Sequence, residues 1–280
     1  MKEDQPSGTA LGVSVIRTVH ELIDNPPLIL EDPISPRLLS KETIESIHRD
    51  ADRHQTPQAK GLRSHIVLRS RYAEDQLHIA AESGISQFIS LGAGFDTFSF
   101  RLPEWARKFQ IVEIDHPASQ KAKLEHFRRQ GLQFPDNVEF VPLDLEKGDL
   151  LESLEQTSLD FEKPVFVSCL GVLAYLSMDT VRKVFKSLAS TPSASLLVLA
   201  FAPKDLKSSE EKSSLSAERA AEHGEPWLTY FGIDELKDGL IKSGFSSVSF
   251  LTAENAAEIY YRGRTDLPAP RKTRLCTAVV

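Results

Sequence analysis

Gly92, Ala93 and Gly94 close an apolar run, "FISLGAG", and about twenty residues later a second run ends in Glu113-Ile114-Asp115. Glycines at a strand-to-turn corner let the backbone bend sharply and let a ligand approach the peptide groups. The start of a following helix adds free N–H groups. An acid at the end of the next strand can accept both hydroxyls of a ribose. Two residues apart on a strand, Glu113 and Asp115 point the same way, so either can serve; Asp115, nearer the carboxyl end, is the preferred one. In a dinucleotide site a third glycine packs helix against strand around a pyrophosphate, and here Thr97 holds that place. The spacing therefore favours a nucleoside over NAD or FAD. Two glycines at a corner can be purely geometric, and an acid there can be a helix cap, so further residues have to decide.

A third run, "VEFVPLDL", ends in Asp144 and Leu145. A carboxylate beside an apolar side chain suits adenine, whose amine donates a hydrogen bond and whose face needs apolar cover. Upstream, "GLRSHIVLRSRYAEDQLHIAAESG" reads as a long helix closed by Gly84. At spacings of three and four, Arg69 shares the face of Ala73, Leu77, Ala80 and Ala81, whereas Arg71 falls with Glu74, Asp75 and His78. Arg71 is expected in water and Arg69 inside. A buried arginine needs an anion, either a protein carboxylate or a ligand's. A ribose acid, an adenine pocket and an arginine for a free carboxylate together describe a molecule that is both amino acid and nucleoside, which is S-adenosylmethionine.

The elements that must hold these residues alternate. The runs "SQFISL", "FQIVEID", "VEFVPLD", "PVFVSCLGVL" and "SASLLVLAFA" are separated by helical stretches such as "HPASQKAKLEHFRRQG" and "MDTVRKVFKSLAS", and "SSVSFLT" and "RLCTAVV" close the chain. This pattern predicts an α/β fold, a doubly wound, mainly parallel sheet whose ligand edge is at the carboxyl ends of the strands. Residues 1–84 are expected to form an N-terminal helical cap and 85–280 the core of a single domain, in line with 280 residues that are 41% apolar. Residues 204–228 are charged and serine-rich, and read as a solvated helix or as a lid over the site.

Composition narrows the function. A net charge of -7 and a pI near 5.7 remove the electrostatic basis for nucleic-acid binding. Two cysteines, Cys169 and Cys276, make neither a disulfide framework nor a zinc motif, so no metal site is expected. The polar opening "MKEDQPSGTA" is unlike a signal peptide, and no apolar run approaches the ~20 residues of a membrane span. A cytoplasmic protein without a membrane partner is the expectation; oligomeric state is not legible.

With these residues in view, the chain resembles the leucine carboxyl methyltransferase superfamily, in particular its bacterial, tetracenomycin-type O-methyltransferase branch. The resemblance runs through "GTALGVSVIRTVHEL", "DPISPRLL", "RSRYAEDQL", "FISLGAGFDTFSFRL", "VEIDHPASQKAK", "LGVLAYL" and "EPWLTYFGIDELKDGLIKSGF". It implies a class I, Rossmann-like methyltransferase of seven strands. In it Arg69 would meet the methionine carboxylate of the cofactor, Gly92, Ala93 and Gly94 would pass under the methionine portion, Asp115 would hold the ribose, and Asp144 and Leu145 would flank the adenine. Protein-carboxyl members carry a glutamate where Leu170 stands in "CLGVLAYL", which favours a small-molecule methyl acceptor and puts Leu170 at the cofactor. Tyr175 and Trp227 are the candidate substrate residues, with His223 a further lid residue; His116 reads as a helix cap. No general base stands out. The competing readings are an NAD(P)-dependent oxidoreductase, disfavoured by Thr97 and Arg69, and a non-catalytic, methyltransferase-like binding protein.

Overall fold

The computed structural model describes residues 7–205, 215–222 and 224–280. Helices come first: α1 (Gly8–Ile23), α2 (Lys41–Arg49), α3 (Ala51–His54) and the long α4 (Pro57–Glu82). α4 starts where a start signal stands in the sequence. The Thr56 hydroxyl accepts the Ala59 N–H at 3.3 Å, and Pro57, whose missing N–H costs nothing there, occupies the first turn.

The sheet follows, as β1 (Gln87–Leu91), β2 (Gln110–Asp115), β3 (Val138–Pro142), β4 (Phe166–Cys169), β5 (Leu196–Ala200), β6 (Ser247–Phe250) and β7 (Leu275–Val279). Its order is β3-β2-β1-β4-β5-β7-β6, with β1 to β5 parallel and β7 antiparallel to both its neighbours. This is the mainly parallel, seven-stranded, doubly wound sheet that the alternating runs predict. β1 leads to β2 on one side and pairs with β4 on the other, so strand order reverses beside β1. The register sets Leu91 against both Ile114 and Cys169. Gly92, Asp115 and Leu170 therefore leave the sheet at one edge.

The intervening helices are α5 (Pro117–Arg129), α6 (Leu150–Glu155), α7 (Met178–Ala189), α8 (Leu215–Glu222), α9 (Ile233–Ser243) and α10 (Ala253–Tyr260). Alternate residues of the strands feed two cores. Ile89, Leu91, Val112 and Ile114 join residues of α6, α7 and α9, while Phe88, Ile111, Phe166 and Val198 pack with residues of α4 and α10. Cys169 and Cys276 are buried free thiols, and burial pushes the Cys169 thiol up to about 12, which keeps it protonated and inert. Among the described residues no helix is long and apolar enough to cross a membrane.

The β1-to-β2 crossover departs from expectation. No α-helix follows the glycine turn; the connection consists of the short 3-10 turns Phe98–Phe100 and Glu104–Ala106. The helix N-terminus expected to offer N–H groups beyond Gly94 is absent, and with it the usual device for holding a pyrophosphate. Pro103 and the packing of Phe98 and Phe100 against Phe88, Trp105, Phe127 and Phe134 shape this stretch.

Candidate functional site

The glycine turn is tied down by backbone bonds. Gly92 has φ +71°, and its N–H and that of Ala93 both donate to the Ile114 carbonyl, at 2.8 and 3.1 Å. A Cβ at residue 92 would run into the Val172 side chain, so glycine is needed for space as well as for dihedral. The Gly94 N–H donates to one Asp115 oxygen, and the His116 N–H donates to the other at 2.6 Å. Burial raises the Asp115 pKa, and these two N–H groups partly offset that. Each oxygen keeps acceptor capacity beyond its one backbone bond. Asp115 is not the cap of α5; His116 is, its Nδ1 accepting from the Ala118 N–H at 3.3 Å.

Glu113 requires a correction. It is 1% exposed and stands outside the cavity that Asp115 borders, ion-paired to buried Lys123 of α5 and accepting the Ser99 hydroxyl at 2.6 Å. Period-two alternation reports direction, not what the neighbouring helix supplies. Lys123 takes up the Glu113 charge, and of the two acids it is Asp115 that borders the cavity.

Thr97, in the place of a third glycine, has a structural partner. Its hydroxyl donates to Asp32 at 2.7 Å, tying the turn to the cap. Asp32 also accepts the Ser35 N–H at 3.1 Å and lies 3.4 Å from Arg17 and 3.6 Å from Arg101. Arg17 in turn donates to Asp96 at 2.8 Å, and Arg101 pairs with Glu74 of α4. Sequence reading missed this network, because its members stand far apart in the chain; the only signal was an arginine on a mostly apolar helix.

Arg69 is the counter-case. It borders the cavity with its guanidinium against Gly171, where an added Cβ would lie 2.5 Å from Nη1. Among the described residues no carboxylate comes within ion-pair distance of it. Burial lowers its pKa to about 10; Tyr175 and Asp96 pull upward and Arg17 downward. It stays charged at neutral pH and, among the described residues, has no protein anion of its own. Arg71, as expected, faces outward, paired with Asp75 at 2.8 Å.

One cavity of about 1170 Å³ gathers Arg69, Gly92, Ala93, Gly94, Asp115, Asp144, Leu145, Leu170, Tyr175 and Trp227. Asp144 accepts the Glu146 N–H at 3.0 Å and lies 3.7 Å from His116 Nε2. The Tyr175 hydroxyl points at Thr9 Oγ1, at 3.5 Å. Trp227 Nε1 is buried without a partner among the described residues. Of the expected lid, residues 204–205, α8 and residues 224–228 are described; residues 206–214 and His223 lie outside the described residues. Glu225 holds the segment against the start of α1, accepting from the Ser7 hydroxyl at 3.1 Å and the Thr9 hydroxyl at 2.6 Å.

The sequence profile described as leucine carboxyl methyltransferase matches residues 10–189. A Bacillus subtilis protein, YktD, assigned to the S-adenosyl-L-methionine-dependent methyltransferases, is 29% identical over 95% of both chains. A Mycobacterium tuberculosis protein assigned in the same way, Rv3787c, is 27% identical over 86% of this chain and 82% of its own. Among solved structures, a Thermobifida fusca protein assigned as a methyltransferase shares the fold at a TM-score of 0.57 and 17% identity, over 99% of this chain and 96% of that one.

Proposed function

From the premise that this chain belongs to the leucine carboxyl methyltransferase family and depends on S-adenosylmethionine, we propose that it transfers the methyl group to an oxygen of a small molecule. The observation that carries this reading is Arg69, a half-buried cation with no ion-paired carboxylate among the described residues, beside a glycine turn. S-adenosylmethionine supplies a methyl group on a sulfonium, open to in-line attack by an oxygen. The protein's part is to bind and orient. Arg69 would hold the amino-acid carboxylate, the Gly92–Gly94 backbone would lie against the methionine portion with Leu170, next to Gly171, beside it, Asp115 would accept the ribose hydroxyls, and Asp144 and Leu145 would flank the base. Tyr175 and Trp227 would border the acceptor, and the contact of residues 225–228 with α1 would exclude water.

Calorimetry with S-adenosylhomocysteine and with NADH tests the cofactor side. The reading requires tight binding of the first and none of the second; the reverse would make the protein an oxidoreductase. Replacing Arg69 with alanine is expected to weaken S-adenosylhomocysteine binding by about 1–3 kcal/mol, the scale of a hydrogen bond to a charged group. Unchanged affinity would remove Arg69 from the site. Gly171→Ala should weaken binding in the same assay, since its Cβ displaces the guanidinium, and at φ +77° it should also lower stability by about 1–3 kcal/mol. Incubation with radiolabelled cofactor and a panel of phenols, alcohols and carboxylic acids separates an enzyme from a binding protein: a panel left wholly unlabelled would favour the latter.

A further inference from the structure

Glu225 is 6% exposed and borders the cavity. All of its hydrogen bonds fall on one oxygen. Oε2 accepts from the Thr9 hydroxyl at 2.6 Å, the Ser7 hydroxyl at 3.1 Å and the Thr9 N–H at 3.4 Å. Oε1 has no partner among the described residues, and it is not one of their fully enclosed orphan atoms, so it opens to the cavity that its side chain borders. Among the described residues no cation comes within ion-pair distance of this carboxylate, whereas Glu113 is bound to Lys123. A buried carboxylate without a counter-ion is costly. The side chain is nevertheless held firmly, because Ser7 is also the cap of α1 and its N–H donates to Ser119 Oγ of α5 at 3.0 Å.

Its place suits proton transfer. The Thr9 hydroxyl that donates to Oε2 also lies 3.5 Å from the Tyr175 hydroxyl, at the border of the acceptor. An oxygen seated by Tyr175 is therefore one hydroxyl away from the carboxylate. Ala10, the next residue of α1, stands over the glycine turn, its Cβ 3.2 Å from where a Cβ on Gly94 would be. The other ionisable groups of the cavity are less apt. Asp96 is taken by Arg17, Glu74 by Arg101, and both oxygens of Asp115 by backbone N–H groups. Glu146 accepts from Ser177 and Thr180, Asp50 stands at the far, cap end, and Glu222 is exposed at the end of α8. His116 Nδ1 is committed to the Ala118 N–H. His65 is held well below the usual imidazole range by burial and by the charges of Arg274 and Arg69.

Resting on the methyltransferase reading above, we infer that Glu225 is the general base of the reaction and that the acceptor is a hydroxyl compound, a phenol or an alcohol. Oε1 takes the hydroxyl proton as the acceptor oxygen attacks the methyl group. The new O–CH3 bond forms while the S–CH3 bond of the sulfonium breaks, and the electron pair of that bond stays on sulfur. The products are the methyl ether, S-adenosylhomocysteine and protonated Glu225, which returns its proton to water as the products leave. An acid acceptor fits this site poorly. Its oxygen is already ionised near neutral pH and needs no base, and two facing carboxylates repel each other.

The test uses the full chain with radiolabelled S-adenosylmethionine and three acceptors of similar outline, 4-methylphenol, 4-nitrophenol and 4-methylbenzoate. In mildly alkaline buffer 4-nitrophenol is largely ionised and needs no base, whereas 4-methylphenol keeps its proton. Both phenols should take the label and the benzoate should not. Glu225→Gln keeps an oxygen for Ser7 and Thr9 but takes up no proton. It should lower kcat with 4-methylphenol at least about 100-fold, slow 4-nitrophenol far less, and leave S-adenosylhomocysteine affinity unchanged. If that variant does not fold, Glu225→Asp, which withdraws the carboxylate by one methylene, should show the same ordering with a smaller loss. Equal slowing of the two phenols would make Glu225 a structural residue and overturn the proposal, as would a folded variant of undiminished rate. Phenols left unlabelled by a protein that binds S-adenosylhomocysteine would overturn this proposal alone, whether or not the benzoate is labelled. Failure of S-adenosylhomocysteine to bind the unaltered protein would overturn the methyltransferase reading and this proposal with it.

Discussion

Glu113→Ala should destabilise the fold by about 3–5 kcal/mol, the cost of stranding a buried charge, and leave S-adenosylhomocysteine affinity where it was. The charge left behind is the Lys123 ammonium, 1% exposed and with no other carboxylate within ion-pair distance among the described residues. The Ser99 hydroxyl also loses the acceptor it reaches at 2.6 Å. Chemical denaturation gives the first quantity and calorimetry on the folded protein the second. Because replacing a buried pair with apolar groups is often neutral, Glu113→Ala combined with Lys123→Met should recover much of the loss. If Glu113→Ala kept normal stability and lost the cofactor, Glu113 would be a ligand after all.

Asp32→Ala should be as costly, again about 3–5 kcal/mol, but should reduce cofactor affinity as well. Asp32 is 1% exposed, accepts the Thr97 hydroxyl and the Ser35 N–H, and stands between Arg17 and Arg101. Without it both guanidiniums lose a counter-charge and the residue just beyond the glycine turn loses its tether. A stability loss with unaltered affinity would mean that the turn holds its shape without the cap. The network also has an acid limit. Burial alone would raise the Asp96 pKa, but the charges of Arg17, Arg101 and Lys123 and the Phe98 N–H draw it down to about 2. A carboxylate depressed in the folded state stabilises fully above its ordinary pKa, and that contribution is lost as pH falls towards 2. Stability should therefore decline between about pH 4 and pH 2, and Arg17→Met should flatten that limb of the profile.

Features governed by local periodicity were legible in the sequence. The seven strands, the length of α4 and the inward Arg69 beside the outward Arg71 follow from apolar spacing alone, because burial of one face is what makes those elements form. Features that depend on which charge meets which were not. Glu113 and Asp115 look interchangeable until Lys123 arrives from α5, and Asp32 and Thr97 are 65 residues apart. The absent helix after β1 is a third case: "FDTFSFRLP" follows a strand and a glycine turn where a helix usually begins, whereas its phenylalanines are drawn into aromatic contacts and Pro103 interrupts the backbone ladder. α10, short and rich in alanine, carried too little apolar contrast to announce itself.

The contact between Glu225 and Thr9 joins positions 216 residues apart. On the ribosome the chain has made every strand up to β5 before the residue that completes the chamber emerges. The nucleoside compartment can therefore take its final form only late in synthesis, and the ligand that fills it can protect the finished molecule but cannot act as a template for the nascent one.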